Sequence, residues 1–163
     1  NFLTIIIPRH IHRANKIVQD IKHLKLNVVL HSSNPKKLEE TDIYLVDTYG
    51  ETRKFYYSSN IVFMGKSLTG KGGQNPLEPG RHGAAILYGP NIDNFLDIYK
   101  LLDKLKITHK VNSINSLTNL VSKFIDNPNK KKNYIKIEKL GKKILNETKD
   151  EINNLLNNEI KKT

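Results

Sequence analysis

The sequence predicts an α/β domain with a doubly wound parallel sheet. Two observations carry that prediction. Short runs of β-branched and aliphatic residues alternate with amphipathic helical patterns along the chain. The runs are continuous rather than polar-alternating, as in strands covered on both faces.

The elements follow in order. Residues 2–7 form a β-branched run stopped by Pro8 and read as a fully buried strand. Ala14, Ile17, Val18, Ile21 and Leu24 share one face of a helix. Residues 27–30 read as a second strand, and the polar stretch 32–37 as a loop. Residues 43–46 are a third strand, ending in Asp47-Thr48-Tyr49-Gly50-Glu51, with a short helix over 51–58. Residues 60–64 are a fourth strand, followed by a glycine-rich loop over 65–75. Pro76 suits the first position of the next helix. Residues 85–88 are a fifth strand, closed by Gly89-Pro90. Phe95, Ile98, Leu101 and Leu102 mark a helix, and residues 109–112 a short edge strand. Ile114, Leu117, Leu120, Val121 and Phe124 mark another helix, stopped before Pro128. A long last helix runs over 130–159, with Ile137, Leu140, Ile144, Ile152 and Leu155 on one stripe.

Composition narrows the function. The 163 residues suit one domain with a core, and 37% hydrophobic residues argue against disorder. No stretch approaches the roughly 18 consecutive apolar residues of a membrane span. The opening segment lacks a basic flank and is not read as a signal peptide. With no cysteine, disulfides and thiolate metal sites are excluded. The net charge of +11 favours anionic partners: nucleotides, nucleic acid or an acidic membrane surface. Residues 130–163 hold ten lysines against five acids. That helix is read either as a solvated face or as a patch for anionic headgroups.

In a parallel sheet, ligands bind outside the carboxyl ends of the strands. Four loops lie there: 8–13, 47–51, 65–78 and 89–94. The third is the most informative. Gly70, Gly72 and Gly73 permit tight turns and bare main-chain amides, and a helix start follows at once, an arrangement suited to phosphate. The alternative is a flexible surface turn. Two familiar nucleotide motifs fail here. A P-loop needs a glycine at position 60, which is Asn60. The dinucleotide pattern from Gly70 needs a third glycine at position 75, which is Asn75. Arg9, His10 and Arg13 at the first strand end suit a phosphate or an acidic sugar, or are solvated charges at a helix start. Glu78 is placed to accept both ribose hydroxyls, or only complements a helix N-terminus. Asp47 and Glu51 show no strong metal-binding spacing. His12, His23, His31 and His82 show no metal-ligand spacing and read as surface or packing residues.

Together these motifs resemble one family. Ile6-Ile7-Pro8-Arg9-His10 with Arg13 is similar to the opening of the C-terminal domain of Kdo transferases. Asp47–Glu51 resembles that family's Gly-Glu loop. Phe63–Leu68 followed by Gly72-Gly73-Gln74-Asn75-Pro76-Leu77-Glu78-Pro79 resembles its longest signature, and Gly89-Pro90 with Asn94-Phe95 its next loop. The resemblance covers about the first hundred residues. Lys66 stands where a second glycine is common, and Gln74 where many members have His.

The resemblance implies a Rossmann-like sheet forming the C-terminal half of a GT-B glycosyltransferase. It implies inverting transfer of Kdo from CMP-Kdo, a substrate rather than a cofactor, to a lipid A precursor. No cofactor or catalytic metal is implied. The whole chain, 1–163, is then the donor-binding domain. The acceptor site and the general base lie in an N-terminal domain outside it, so this chain alone is expected to be inactive. The implied donor-binding residues are Arg9, His10, Gly50, Glu51, Ser67, Gly72, Gly73, Asn75 and Glu78. Arg9 contacts CMP, Gly72, Gly73 and Asn75 receive phosphate, Glu78 holds the ribose, and Gly50 and Glu51 shape the nucleotide side. The implied location is the cytoplasmic face of the bacterial inner membrane, with its surface as a further partner. Nucleic acid is not an implied partner. Two alternatives remain: a GT-B transferase or epimerase using a UDP- or GDP-sugar, and a non-catalytic nucleic-acid-binding domain.

Overall fold

The structure, a computed structural model, describes residues 2–128 and 130–160. The chain divides into two compact units, Asn1–Phe55 and Tyr56–Thr163.

The first unit holds a three-stranded parallel sheet in the order β1 (Thr4–Ile6), β3 (Ile43–Leu45), β2 (Val28–Leu30). Ile6 and Leu30 both pair with Leu45, so the three strands end level. The central strand β3 is buried throughout, whereas β1 and β2 are partly open. The expectation of a fully buried first strand is therefore corrected. β1 is an edge strand, and Phe2 just before it is 69% exposed. Its run of isoleucines reflects strand propensity more than burial. Helix α1 (Ala14–Lys22) follows β1 after a 3-10 turn at Ile11–Arg13, and α2 (Thr52–Ser58) follows β3.

The second unit holds the order β4 (Ile61–Phe63), β5 (Ala85–Tyr88), β6 (Thr108–Lys110), again all parallel. β5 is central, and all four of its residues are buried. Its two faces feed two clusters. Ile86 and Tyr88 pack with Met64, Ile92, Tyr99, Leu102, Ile107 and Ile137. Ala85 and Leu87 pack with Phe124. Helices α3 (Leu77–Arg81), α4 (Leu96–Lys104), α5 (Ile114–Asp126) and α6 (Lys130–Ile160) supply the covering layers. Ser113 caps α5 through a reciprocal pair with Ser116. The Tyr88 hydroxyl donates to Asp103 at 2.8 Å, and the Thr108 hydroxyl donates to the other oxygen of the same carboxylate. This ties β5, α4 and β6 together.

Helix α6 has two parts. Near its start Ile137 is buried against the second unit's core, and Lys136 donates to the Leu105 carbonyl at 2.5 Å. Residues 141–158 are all exposed, Ile144, Leu145, Ile152, Leu155 and Leu156 included. Within that stretch Lys142, Lys143 and Lys149 are balanced by Glu147, Asp150 and Glu151. The lysine excess of the tail therefore sits in the first turns of α6 and after the described residues. Among the described residues, no helix is long and apolar enough to cross a membrane.

Candidate functional site

In each sheet the strand ends gather the sequence-predicted residues on one edge. In the first unit this edge carries Arg9 and His10 after β1, His31–Ser33 after β2, and Asp47–Glu51 after β3. Arg9 and His10 are exposed, and the His10 ring stacks on His12 with centroids 5.5 Å apart. The His10 carbonyl accepts from the Arg13 amide at 3.1 Å, which starts the turn into α1.

The acids of the β3 loop are engaged inside the unit. Asp47 accepts from the Ser32 amide at 2.8 Å and from the Ser32 hydroxyl. Those bonds hold its carboxyl below the usual range against the opposing effect of desolvation. Glu51 accepts from the Lys54 ammonium at 2.6 Å, from the Thr48 hydroxyl at 3.2 Å, and from the His31 ring. Lys54 first, then His31, pull its carboxyl from 4.5 down to about 2. Both carboxylate oxygens of Glu51 are thus taken up by the chain.

The shift has a stability consequence. Because the folded-state value lies below the ordinary one, ionised Glu51 stabilises the unit above pH 4.5, and this contribution is lost as pH falls toward about 2. Glu51→Gln should flatten the acid limb of stability in that window. A pH series of denaturation midpoints, with wild type and variant equally steep between those values, would contradict it.

In the second unit, the loops after β4 and β5 are stitched together. Ser67 is fully buried. Its hydroxyl donates to the Met64 carbonyl and accepts from the Gly89 amide at 2.8 Å, while its carbonyl accepts from the Asn91 amide at 2.9 Å. Ser67 therefore braces the loop. Its hydroxyl is buried and bonded within the chain. Ser67→Ala would leave the Gly89 amide without a partner and should cost about 1–3 kcal/mol, read as a lower denaturation midpoint.

The glycines serve the same closure. Gly72 and Gly73 both have left-handed φ, +85° and +62°. A Cβ at Gly72 would lie 2.7 Å from the Asn94 side-chain nitrogen, and one at Gly73 would lie 2.9 Å from the Asn91 carbonyl. Only glycine admits both the turn and the neighbouring loop. Among the described residues, the amides of Gly72 and Gly73 donate to no backbone carbonyl. Gly72 is half-buried and Gly73 is buried. Gly70 has no left-handed φ; it is small because the Lys66 stem crosses it. Lys66 itself has φ +72°, a conformation that favours glycine, so a lysine at this position is held at a conformational cost.

Asn75 is exposed, and its side-chain oxygen accepts from the Leu77 amide at 2.9 Å, which starts α3. Pro76 is therefore the cap of that helix rather than its first residue. With five residues, α3 offers little dipole, so any anion binding here rests on the loop amides. Glu78 is exposed on its first turn. Tyr56 in the same unit has its hydroxyl pKa raised, by burial first and then by the Glu78 charge. The Tyr99 hydroxyl donates to the Gln74 carbonyl at 3.1 Å, anchoring the loop's far end to the core.

Sequence reasoning gave His31 no site role, and it named the 89–94 loop without its closure on the glycine string. His31 was within reach: it directly follows β2, and the strand-end rule applied to that strand selects it.

No family model matches the chain. Among known proteins it is 34% identical over 113 residues to a 3-deoxy-D-manno-octulosonic acid transferase of Haemophilus influenzae, covering 69% of this chain and 26% of that protein. It is 36% identical over 116 residues to a bifunctional glycosyltransferase/methyltransferase of Fusobacterium nucleatum, covering 70% of this chain and 18% of that protein. The chain thus spans about a quarter or less of these two relatives' length. Among solved structures it matches the C-terminal CMP-Kdo-binding domain of WaaA from Acinetobacter baumannii with a TM-score of 0.76 at 24% identity. That match covers 84% of this chain and 72% of that one. The sequence relationship is to the 3-deoxy-D-manno-octulosonic acid (Kdo) transferases, and the fold is that of the WaaA C-terminal domain.

Proposed function

We propose that this chain is the donor-binding part of a glycosyltransferase that moves Kdo from CMP-Kdo to a lipid A precursor with inversion and without a catalytic metal or other cofactor. It works at the cytoplasmic face of the inner membrane. The carrying observation is the glycine loop. Gly72 and Gly73 make two successive left-handed turns closed against Asn91 and Asn94, in a chain related to Kdo transferases.

The proposed roles are those the family resemblance implies, and the exposure of Arg9, His10, Asn75 and Glu78 supports them. The Gly72 and Gly73 amides and the Asn75 side-chain NH2 receive the donor phosphate. Glu78, exposed one turn beyond, accepts the ribose hydroxyls. In the first unit, Arg9 and His10 are exposed after β1 and supply cationic and polar contacts to the donor, and Gly50 offers an open main chain. CMP is the leaving group, so negative charge builds on its phosphate as the glycosidic bond breaks. Fixed amides aimed at that phosphate stabilise the transition state without reorganising. The acceptor site and the general base lie outside this chain, and the chain alone therefore turns over no substrate.

Chemical-shift mapping with CMP tests the assignment. The amides of Gly50, Gly72, Gly73 and Glu78 should shift in a saturable manner, while those of residues 141–158 stay in place. Shifts confined to the lysine-rich start of α6 would contradict it and favour nonspecific anion binding.

A further inference from the structure

The imidazole of His31 sits at the end of β2, in contact on three sides. Its Nε2 contacts the Glu51 carboxylate, its Nδ1 lies 2.6 Å from the Tyr44 hydroxyl, and the Phe55 ring meets it edge-on with centroids 5.4 Å apart. The bond directions follow from chemistry. An ionised carboxylate only accepts, so Nε2 carries the proton and donates to Glu51. Tyr44 lies on the buried central strand and its hydroxyl pKa is raised, by burial first and then by the Glu51 and Asp47 charges. Its O–H therefore stays intact, and it shares one hydrogen bond with Nδ1, the hydroxyl donating when that nitrogen is bare and accepting when it carries a proton. The result is an ordered chain from Tyr44 through His31 to Glu51, closed on the far side by Lys54 and Thr48. A second stitch runs beside it, from Ser32 to Asp47.

This arrangement joins the ends of two adjacent strands and the first turn of α2. The corner it holds is Gly50, exposed, at φ +88°, with open space where a side chain would be. We propose that His31 is a positioning residue of the donor site: by clasping Glu51 it fixes the Gly50–Glu51 corner, whose main chain rather than its carboxylate meets the nucleotide. The inference rests on the donor-site reading above.

The test is a double-mutant cycle on CMP affinity, using wild type, His31→Ala, His31→Gln, Glu51→Gln and the His31→Ala/Glu51→Gln double variant. Amide exchange at Gly50 and Glu51 is followed in parallel. His31→Ala should weaken CMP about tenfold, the scale of one hydrogen bond to a charged group. His31→Gln should recover most of that, because its amide can still donate to Glu51. The double variant should bind no more weakly than the worse single variant, since both remove the same clasp. Unchanged affinity in His31→Ala, or losses that multiply in the double variant, would overturn the proposal. If the wild type itself fails to bind CMP, the donor reading falls, and the clasp is decided by exchange alone. About tenfold faster exchange at Gly50 in His31→Ala supports positioning, and unchanged exchange overturns it.

Discussion

Gly89→Ala should be close to unfolding for the unit formed by Tyr56–Thr163. The added methyl would lie 2.5 Å from the Leu68 Cα and 2.6 Å from the Leu68 nitrogen, with the Ser67 carbonyl also in the way. Every one of these atoms is backbone. None can swing aside as a flexible side chain would. The opposing segment is pinned, because Ser67 is buried and bonded to Gly89 and Asn91. Gly89 is itself fixed, as it directly follows the fully buried strand β5. Relief therefore requires separating the two strand-end loops. The expected cost is about 3 kcal/mol or more, a large part of the 5–15 kcal/mol that typically holds a domain. Gly65→Ala is the matched control. A Cβ there meets nothing within 4 Å, and its φ is not left-handed. It should move stability by no more than about 0.5 kcal/mol. Chemical denaturation of the two variants decides the point, and equal midpoints would contradict the packing described.

Glu78→Ala should have the largest effect on ligand binding with little effect on folding. Glu78 is exposed, and among the described residues it forms no ion pair with a basic side chain. Its removal should cost about 0.5 kcal/mol of stability or less. If it accepts the ribose hydroxyls, CMP affinity should fall about tenfold or more, as expected for a hydrogen bond to a charged group. The competing role is complementing the dipole of α3, which has only five residues. That role predicts a small loss of stability and no loss of affinity. Calorimetry with a thermal melt on the same sample separates the two.

Much of the fold was legible because strand and helix signals were local. The isoleucine, valine and leucine runs placed the first five strands to within a few residues, and the sixth, Thr108–Lys110, lies within a residue or two of the expected 109–112. Burial was less legible, because it depends on strand order. The run at 2–7 looks as buried as the one at 43–46, yet β1 is an edge strand and β3 is central. The length of α3 was hidden for another reason. Gly83 has φ +80°, which ends the helix soon after Pro76 begins it.

In the site, the glycine string was legible as a tight loop. What it closes against was not, since the partners Asn91 and Asn94 come from a different loop. The internal bonds of Ser67 and Glu51 were not legible either, because their partners lie on other loops. His31 was read as a surface or packing residue. A lone histidine has no spacing that announces it, and its partners are 13 and 20 residues away in sequence.

The central claim, that these loops hold a cytidine monophosphate, is tested most directly by calorimetric titration of the chain with CMP, using UMP and AMP as controls. The account predicts saturable binding of CMP, weaker binding of UMP and AMP, and loss of about tenfold or more in Arg9→Ala as well as in Glu78→Ala. Equal binding of all three nucleotides, or CMP binding indifferent to both substitutions, would contradict it.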